Sequence, residues 1–154
     1  MAQVQIEDEA VVQAPAETVW QEIVDPERHA AWHPFVTTIR GDHGLGATRS
    51  CEVALGKRRA QTTELCVVRE EGDRITWRID EDSSGFLRLV SDWTAGFRLE
   101  PVGASATRVT AESVFRPRNP LVRLMLPVVR RKFHQTQQAI LAALGLAAER
   151  SAGP

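Results

Sequence analysis

The chain has 154 residues, enough for one domain that buries about 70 % of its unfolded surface in a single core. With 25 % charged and 43 % hydrophobic residues the composition is that of an ordinary globular protein, and a net charge of -1 excludes a general electrostatic pull toward nucleic acid. The first ten residues are polar and acidic and no run approaches the ~18 apolar residues of a membrane span, so the expectation is a cytoplasmic protein without leader or anchor.

In residues 3–13, QVQIEDEAVVQ, Val4, Ile6, Ala10 and Val12 fall on one face and mostly glutamine and glutamate on the other, the period-two pattern of a half-buried strand. Asp8 falls on the apolar face. APAETVWQEIV then puts Pro15 at the first position of a short helix, Glu17 in its first turn, and Val19, Trp20 and Ile23 on one stripe. Asp25-Pro26 repeats the start signal for a second short helix, which Pro34 ends.

Strand-like runs follow near residues 35–40, 47–54, 58–69, 73–80, 86–100 and 105–116, separated by turns such as GDHGLG and REEGD. No helix intervenes, which predicts an antiparallel meander. The clearest alternation sets Leu87, Leu89, Ser91, Trp93, Ala95, Phe97 and Leu99 on an inner face, matched by Thr107, Val109, Ala111, Ser113 and Phe115 on the last strand. Beyond Asn119-Pro120 the period becomes helical, with Leu121, Met125, Val128, Val129, Phe133, Ile140 and Leu144 as the apolar stripe of one long helix to about residue 145. The reading is therefore α+β: a seven-stranded sheet covered by that helix, one domain over residues 1–146, and a flexible tail at 147–154.

Arg49 shares parity with Cys51 and Val53, so an inward-facing register buries its guanidinium, which then needs a partner. Asp8 or a ligand oxygen could supply it, and Ser91 and Ser113 add hydroxyls on inner faces; in the alternative reading the register is off by one or the arginine escapes at a cavity mouth. His29 and His33 are one helical turn apart, the spacing of a metal pair, but no third ligand is in register; the sequence favours His33 as a pocket or capping residue, with no metal and no cofactor. Trp32, Trp77, Trp93, Phe97, Phe115, Met125 and Phe133 all fall on faces expected to point inward, as a solid core or as the wall of an apolar pocket.

Cys51 and Cys66 lack CxxC spacing, and a hairpin turning near Gly56 sets Cys51 opposite about residue 61, which argues against a disulfide. No serine lies in GxSxG and GDHGLG lacks a phosphate loop's lysine, so hydrolase and nucleotide chemistry are disfavoured. Arg116, Arg118, Arg123, Arg130, Arg131 and Lys132 form an acid-free basic run, readable as a solvated helix face or as transient contact with an anionic membrane; without interleaved aromatics it does not read as a nucleic-acid surface.

The strings APAETVWQEIVDPERHAAWHPFV, GATRSCEV and WTAGFRLEPVGASATRVTAESVF, with the element order, resemble the START-like, Bet v 1-like (SRPBCC) superfamily and its bacterial polyketide cyclase/dehydrase and lipid-transport branch, over about residues 3–145. None is a catalytic signature. The resemblance implies a helix-grip fold: a curved antiparallel sheet around the C-terminal helix, with two short helices closing one end of an apolar cavity. It turns the inward aromatics into expected cavity wall, adds Phe35 and Val129 to it, and places Trp32, His33 and Phe35 where the second short helix meets strand two. The expected function is binding or transport of a small hydrophobic ligand, lipid, polyketide or aromatic, oriented by Arg49, His33 and inner-face serines. The alternative is an aromatase/cyclase-type enzyme in which His33, Arg49 or Asp8 polarises carbonyls and moves protons; a protein-binding groove is weaker, and a homodimer is left open.

Overall fold

The structure, a computed structural model, describes residues 2–153. Strand β1 (Val4–Val12) leads through helices α1 (Ala16–Val24) and α2 (Pro26–Trp32) into β2 (Val36–Gly41), β3 (Thr48–Leu55), β4 (Arg58–Glu70), β5 (Arg74–Asp82), β6 (Val90–Pro101) and β7 (Thr107–Pro117), followed by α3 (Pro120–Leu124) and α4 (Leu126–Ala152). The seven strands form one antiparallel sheet in the order β1-β7-β6-β5-β4-β3-β2, so β1 returns to pair with the last strand. This is the helix-grip architecture.

Local chemistry sets the ends of the short helices. The Asp25 carboxylate accepts hydrogen bonds from the Glu27 and Arg28 backbone N–H groups at 3.0 and 3.3 Å, with Pro26 at the start of α2. Pro15 occupies the N-cap of α1, one residue before the position expected. The Asn119 side chain caps α3 through the Val122 N–H at 2.9 Å.

The sheet bends through irregular pairing. β4 carries two register shifts against β5, and bulges kink a strand and increase its twist. Gly96 permits the close approach of β5 and β6: a Cβ there would lie 2.2 Å from the Ile75 carbonyl oxygen.

Four expectations need correction. The run at 86–100 is not one strand: Phe86–Arg88 is a 3-10 turn, held by the Asp82 carboxylate, which accepts from the Ser84 and Phe86 N–H groups. A bulge between Ser91 and Thr94, with Asp92 at φ 52°, then inverts the parity at the start of β6. Val90 is buried, while Ser91 pairs with Arg116 on the outer face, so Ser91 is not an inner hydroxyl.

The long helix is broken at Met125, where Pro127 follows at the start of α4. Met125 is 47 % exposed and Leu121 and Val128 are also exposed, so the first part of the supposed inner stripe faces outward. At the other end α4 does not stop near residue 145. It runs to Ala152, and Gly145, Ala147 and Ala148 are buried small residues on a helix that packs against both β1 and α1, with Gly145 facing Val12 of β1; Ser151 donates a hydrogen bond to Glu22 of α1.

The core has two parts. One joins α1, α2, the middle of the sheet and the C-terminal half of α4 through residues such as Trp20, Ile23, Trp77, Phe97 and Leu144. The other, at the N-terminal end of α4, packs Phe86, Trp93, Phe115 and Phe133 with Val4, Val90 and Val122. A polar belt crosses between them. Gln137 accepts from the Ser113 hydroxyl and donates to Asp8, both at 2.8 Å, and His134 Nδ1 lies 2.8 Å from the same Asp8 oxygen.

Candidate functional site

A cavity of about 130 Å³ lies between the inner faces of β3–β7, helix α2 and the middle of α4. His29 and His33 line it from α2 and its C-cap, Arg49 from β3, Glu64 from β4, Trp77 from β5, and Gln137 and Ile140 from α4. Its position follows from how α4 sits: the helix packs chiefly on β1, β7 and α1, which leaves the inner faces of β3, β4 and β5 less covered.

Arg49 is 5 % exposed. Strand register puts Glu64 directly across from it. Arg49 donates from Nε and Nη2 to Glu64 Oε1 at 3.0 and 2.8 Å, while the Thr62 hydroxyl donates to Glu64 Oε2 at 2.8 Å. The guanidinium carbon also lies 3.7 Å from the centroid of the Trp77 ring, a cation-π stack that a planar guanidinium suits. Two donors remain over: Arg49 Nη1 and Trp77 Nε1 are both buried without a hydrogen-bond partner. Such groups cost free energy unless a partner arrives.

The two histidines are held as complementary neutral tautomers. His29 Nδ1 lies 2.8 Å from the Ile23 carbonyl oxygen, which can only accept, so Nδ1 carries the proton and Nε2 a lone pair. His33 Nδ1 is approached by two donors, the Phe35 and Val36 N–H groups at 3.0 and 2.9 Å, so its proton sits on Nε2. Burial pushes His33 down to about 3, with the Arg49 charge adding to the effect, and burial followed by Arg49 holds His29 well below the ordinary imidazole range. The rings stack 5.3 Å apart, and among the described residues no group of three metal-ligating side chains forms around them.

The thiols are no nucleophiles. Burial, reinforced by Glu64, pushes Cys51 up to about 11, and burial raises Cys66. Both are free; Cys51 pairs across the strands with Thr62, one residue past the position expected.

The residues singled out in the sequence divide into groups. His33, Arg49, Trp77, Phe97 and Ser113 come together at the cavity. Trp32, Phe35 and Cys51 stand beside it: Trp32 donates to the Glu22 carbonyl at 2.8 Å, Phe35 packs its ring on His33, and Cys51 is buried on β3. Trp93, Phe115, Val129 and Phe133 belong to the second core, where the rings of Trp93 and Phe115 each pack against Phe133. Ser91 and Met125 lie outside the site for the reasons given above.

Asp8 does not partner Arg49. It is tied to α4 through His134, Gln137 and Gln138, and Glu64 takes its place. Glu64, His29 as a wall residue, Gln137 and Ile140 were not nominated from the sequence. Hairpin arithmetic about Gly56 comes within one residue of Glu64, since the count that sets Cys51 near residue 61 sets Arg49 near residue 63, and the observed register is one residue further on.

The sequence matches the family model described as polyketide cyclase / dehydrase and lipid transport over residues 3–149. The chain belongs to this family. Among solved structures, an aromatase/cyclase from Streptomyces superposes with a TM-score of 0.77 at 19 % identity, covering 97 % of this chain and 95 % of that one. A START superfamily protein from Mycobacterium smegmatis gives 0.77 at 17 % identity with 95 % and 97 % covered. Norcoclaurine synthase from Thalictrum flavum gives 0.73 at 13 % identity, with 94 % and 92 % covered. At these identities the superpositions show the fold. No curated protein sequence matches the chain, and among the described residues no helix is long and apolar enough to cross a membrane.

Proposed function

We propose that this family member binds a small hydrophobic molecule carrying a neutral acceptor oxygen, an aromatic ketone or aldehyde being the simplest case. The observation that carries the reading is the pair of unpartnered buried donors, Arg49 Nη1 and Trp77 Nε1, on residues of the cavity wall. An acceptor oxygen bound at the wall would satisfy Arg49 Nη1. Glu64 already balances the Arg49 charge, so a carboxylate ligand would bring an uncompensated buried anion, whereas a carbonyl would not.

Size supports the same class. A cavity of about 150 Å³ accepts benzene, while pockets for drug-sized ligands span ~300–1,000 Å³. At about 130 Å³ the space is of the size that takes one ring.

A second reading rests on the histidines. With a carbonyl oxygen on Arg49, the His29 Nε2 lone pair could accept a proton from the carbon next to that carbonyl, leaving an enolate whose carbon attacks a second carbonyl of the same molecule; the proton held on His29 Nε2 then passes to the resulting alkoxide, which returns His29 to its neutral form, while His33 Nε2–H donates a hydrogen bond to that oxygen. That is aldol chemistry of the aromatase/cyclase kind. The similarity to an aromatase/cyclase supports it only by analogy of fold.

Native and denaturing mass spectra of freshly purified protein test the first reading. A noncovalent adduct of aromatic mass that vanishes on denaturation, and that the double variant Arg49→Met/Glu64→Leu no longer retains, supports it. An adduct held equally by that variant refutes the role of Arg49. A spectrum free of adduct after growth with candidate ketones moves the weight to turnover, assayed as loss of a diketone.

A further inference from the structure

The exposed apolar residues are not scattered. Leu121, Leu124, Met125 and Val128 are 69 %, 79 %, 47 % and 68 % exposed. They follow the i, i+3, i+4, i+7 spacing of one helical face, and backbone hydrogen bonds from Met125 N–H to Val122 O and from Val128 N–H to Met125 O carry the helical path across the break. The α3–α4 corner therefore presents four apolar side chains to solvent on one stripe. Single exposed leucines are ordinary; a contiguous stripe marks an interaction surface.

Its surroundings say what kind. Arg131 and Lys132 are exposed one turn further along α4, and Arg123 is exposed on α3. Arg130 is also exposed and reaches the Gln5 carbonyl at 3.4 Å. The sequence holds no aspartate or glutamate between Glu112 and Glu149. Arg116 and Arg118 are engaged in the fold, Arg116 with Asp92 and Arg118 with the Leu87 and Val90 carbonyls, so they are left out of the count. The corner is thus apolar at its tip and cationic behind it. A protein carrying a net charge of only -1 has concentrated basic residues there.

We infer that the α3–α4 corner docks on an anionic membrane surface, with Leu121, Leu124, Met125 and Val128 entering the headgroup region and Arg123, Arg130, Arg131 and Lys132 resting at the level of the lipid phosphates. Burial of an apolar helix face combined with attraction to anionic lipid is how interfacial helices bind, and neither contribution alone holds a protein firmly. Charge complementarity favours the bilayer over a second copy, because two such corners would bring their basic residues together. The surface adjoins the aromatic second core and not the ligand cavity, so the inference stands independently of what the cavity holds.

The test is sedimentation with vesicles of phosphatidylcholine alone and of phosphatidylcholine containing about one third phosphatidylserine. The full chain is expected to bind the anionic vesicles, to bind neutral ones far more weakly, and to be released near 1 M salt, where screening leaves a Debye length of about 3 Å. Arg123→Gln/Arg131→Gln/Lys132→Gln should weaken partitioning roughly a hundredfold at the usual weight of a basic residue near an anionic surface. Leu121→Ser/Leu124→Ser/Val128→Ser alters exposed side chains and should abolish binding while thermal unfolding stays unchanged. Equal binding of both lipid mixtures overturns the inference, as does retention by either variant. Absence of vesicle binding, together with a dimer that the serine variant dissolves, overturns it in favour of an interface between two copies.

Discussion

The Arg49–Glu64 pair gives the most quantitative prediction. Glu64→Gln removes the negative partner and leaves the guanidinium at 5 % exposure with its charge uncompensated. The two side chains are 6 % and 12 % exposed, so screening by water is slight. At a charge separation of about 4 Å and an effective dielectric of ~20 the attraction lost is about 4 kcal/mol. The glutamine oxygen still accepts one hydrogen bond, which leaves a net cost of about 3 kcal/mol, within the range for breaking a buried pair. For a chain of this length that is a fall in Tm of roughly 6–12 °C. Arg49→Met/Glu64→Leu removes both charges and their desolvation together and should unfold within about 1 kcal/mol of the parent. Urea denaturation of the parent, the single variant and the double variant measures this directly. A loss under about 1 kcal/mol for Glu64→Gln would place the pair among solvent-screened surface pairs and refute its burial.

Other expectations follow from the same geometry. His29 and His33 have folded-state pKa values below 6.5, so the unfolded chain takes up protons that the folded chain does not; their stabilisation is complete above about pH 6.5 and is lost as pH falls below it, for His33 down to about 3, at up to ~1.4 kcal/mol per pH unit for each group. His33→Asn, whose side-chain oxygen can still accept from the Phe35 and Val36 N–H groups, should flatten that slope in denaturation measured from pH 7 to pH 4. Ser113→Ala should cost about 1 kcal/mol by stranding Gln137, whereas Ser91→Ala on the outer face should be silent. Gly96→Ala should destabilise by about 2 kcal/mol or more, since its Cβ meets the Ile75 carbonyl, and melting curves will show it. Iodoacetamide at pH 8 should label neither cysteine until the protein is unfolded.

Much of the fold was legible because its signals are periodic and local. Alternation in β1 and β7, the Asp25-Pro26 start of α2 and the turn glycines between strands each report backbone conformation through nearby residues. Bulges are harder: Ser91 was assigned inward because parity was carried through a stretch where Asp92 adds a residue and inverts it. The terminal helix misled at both ends for related reasons. Apolar spacing at Leu121, Met125 and Val128 reads as core whichever side it faces, and the small residues Ala147 and Ala148 give little hydrophobic signal although they are buried against the rest of the fold. For Arg49, parity left a buried cation and an exposed one as open readings, and the strand register buries it. Its partner required pairing two strands correctly, and Asp8 was a reasonable competitor until α4 supplied His134 and Gln137 to it. The division of the interior into a small cavity and a plug of rings depends on packing in three dimensions, and no pattern in the sequence encodes it.

Parallel calorimetric titrations with benzaldehyde and toluene, equal in shape but for one oxygen, test the central claim most directly. The account predicts that benzaldehyde binds roughly tenfold more tightly, the weight of one hydrogen bond from a charged donor, and that Arg49→Met/Glu64→Leu erases the preference. Equal affinity of the parent for both compounds, or binding of neither, would contradict a carbonyl anchor at Arg49.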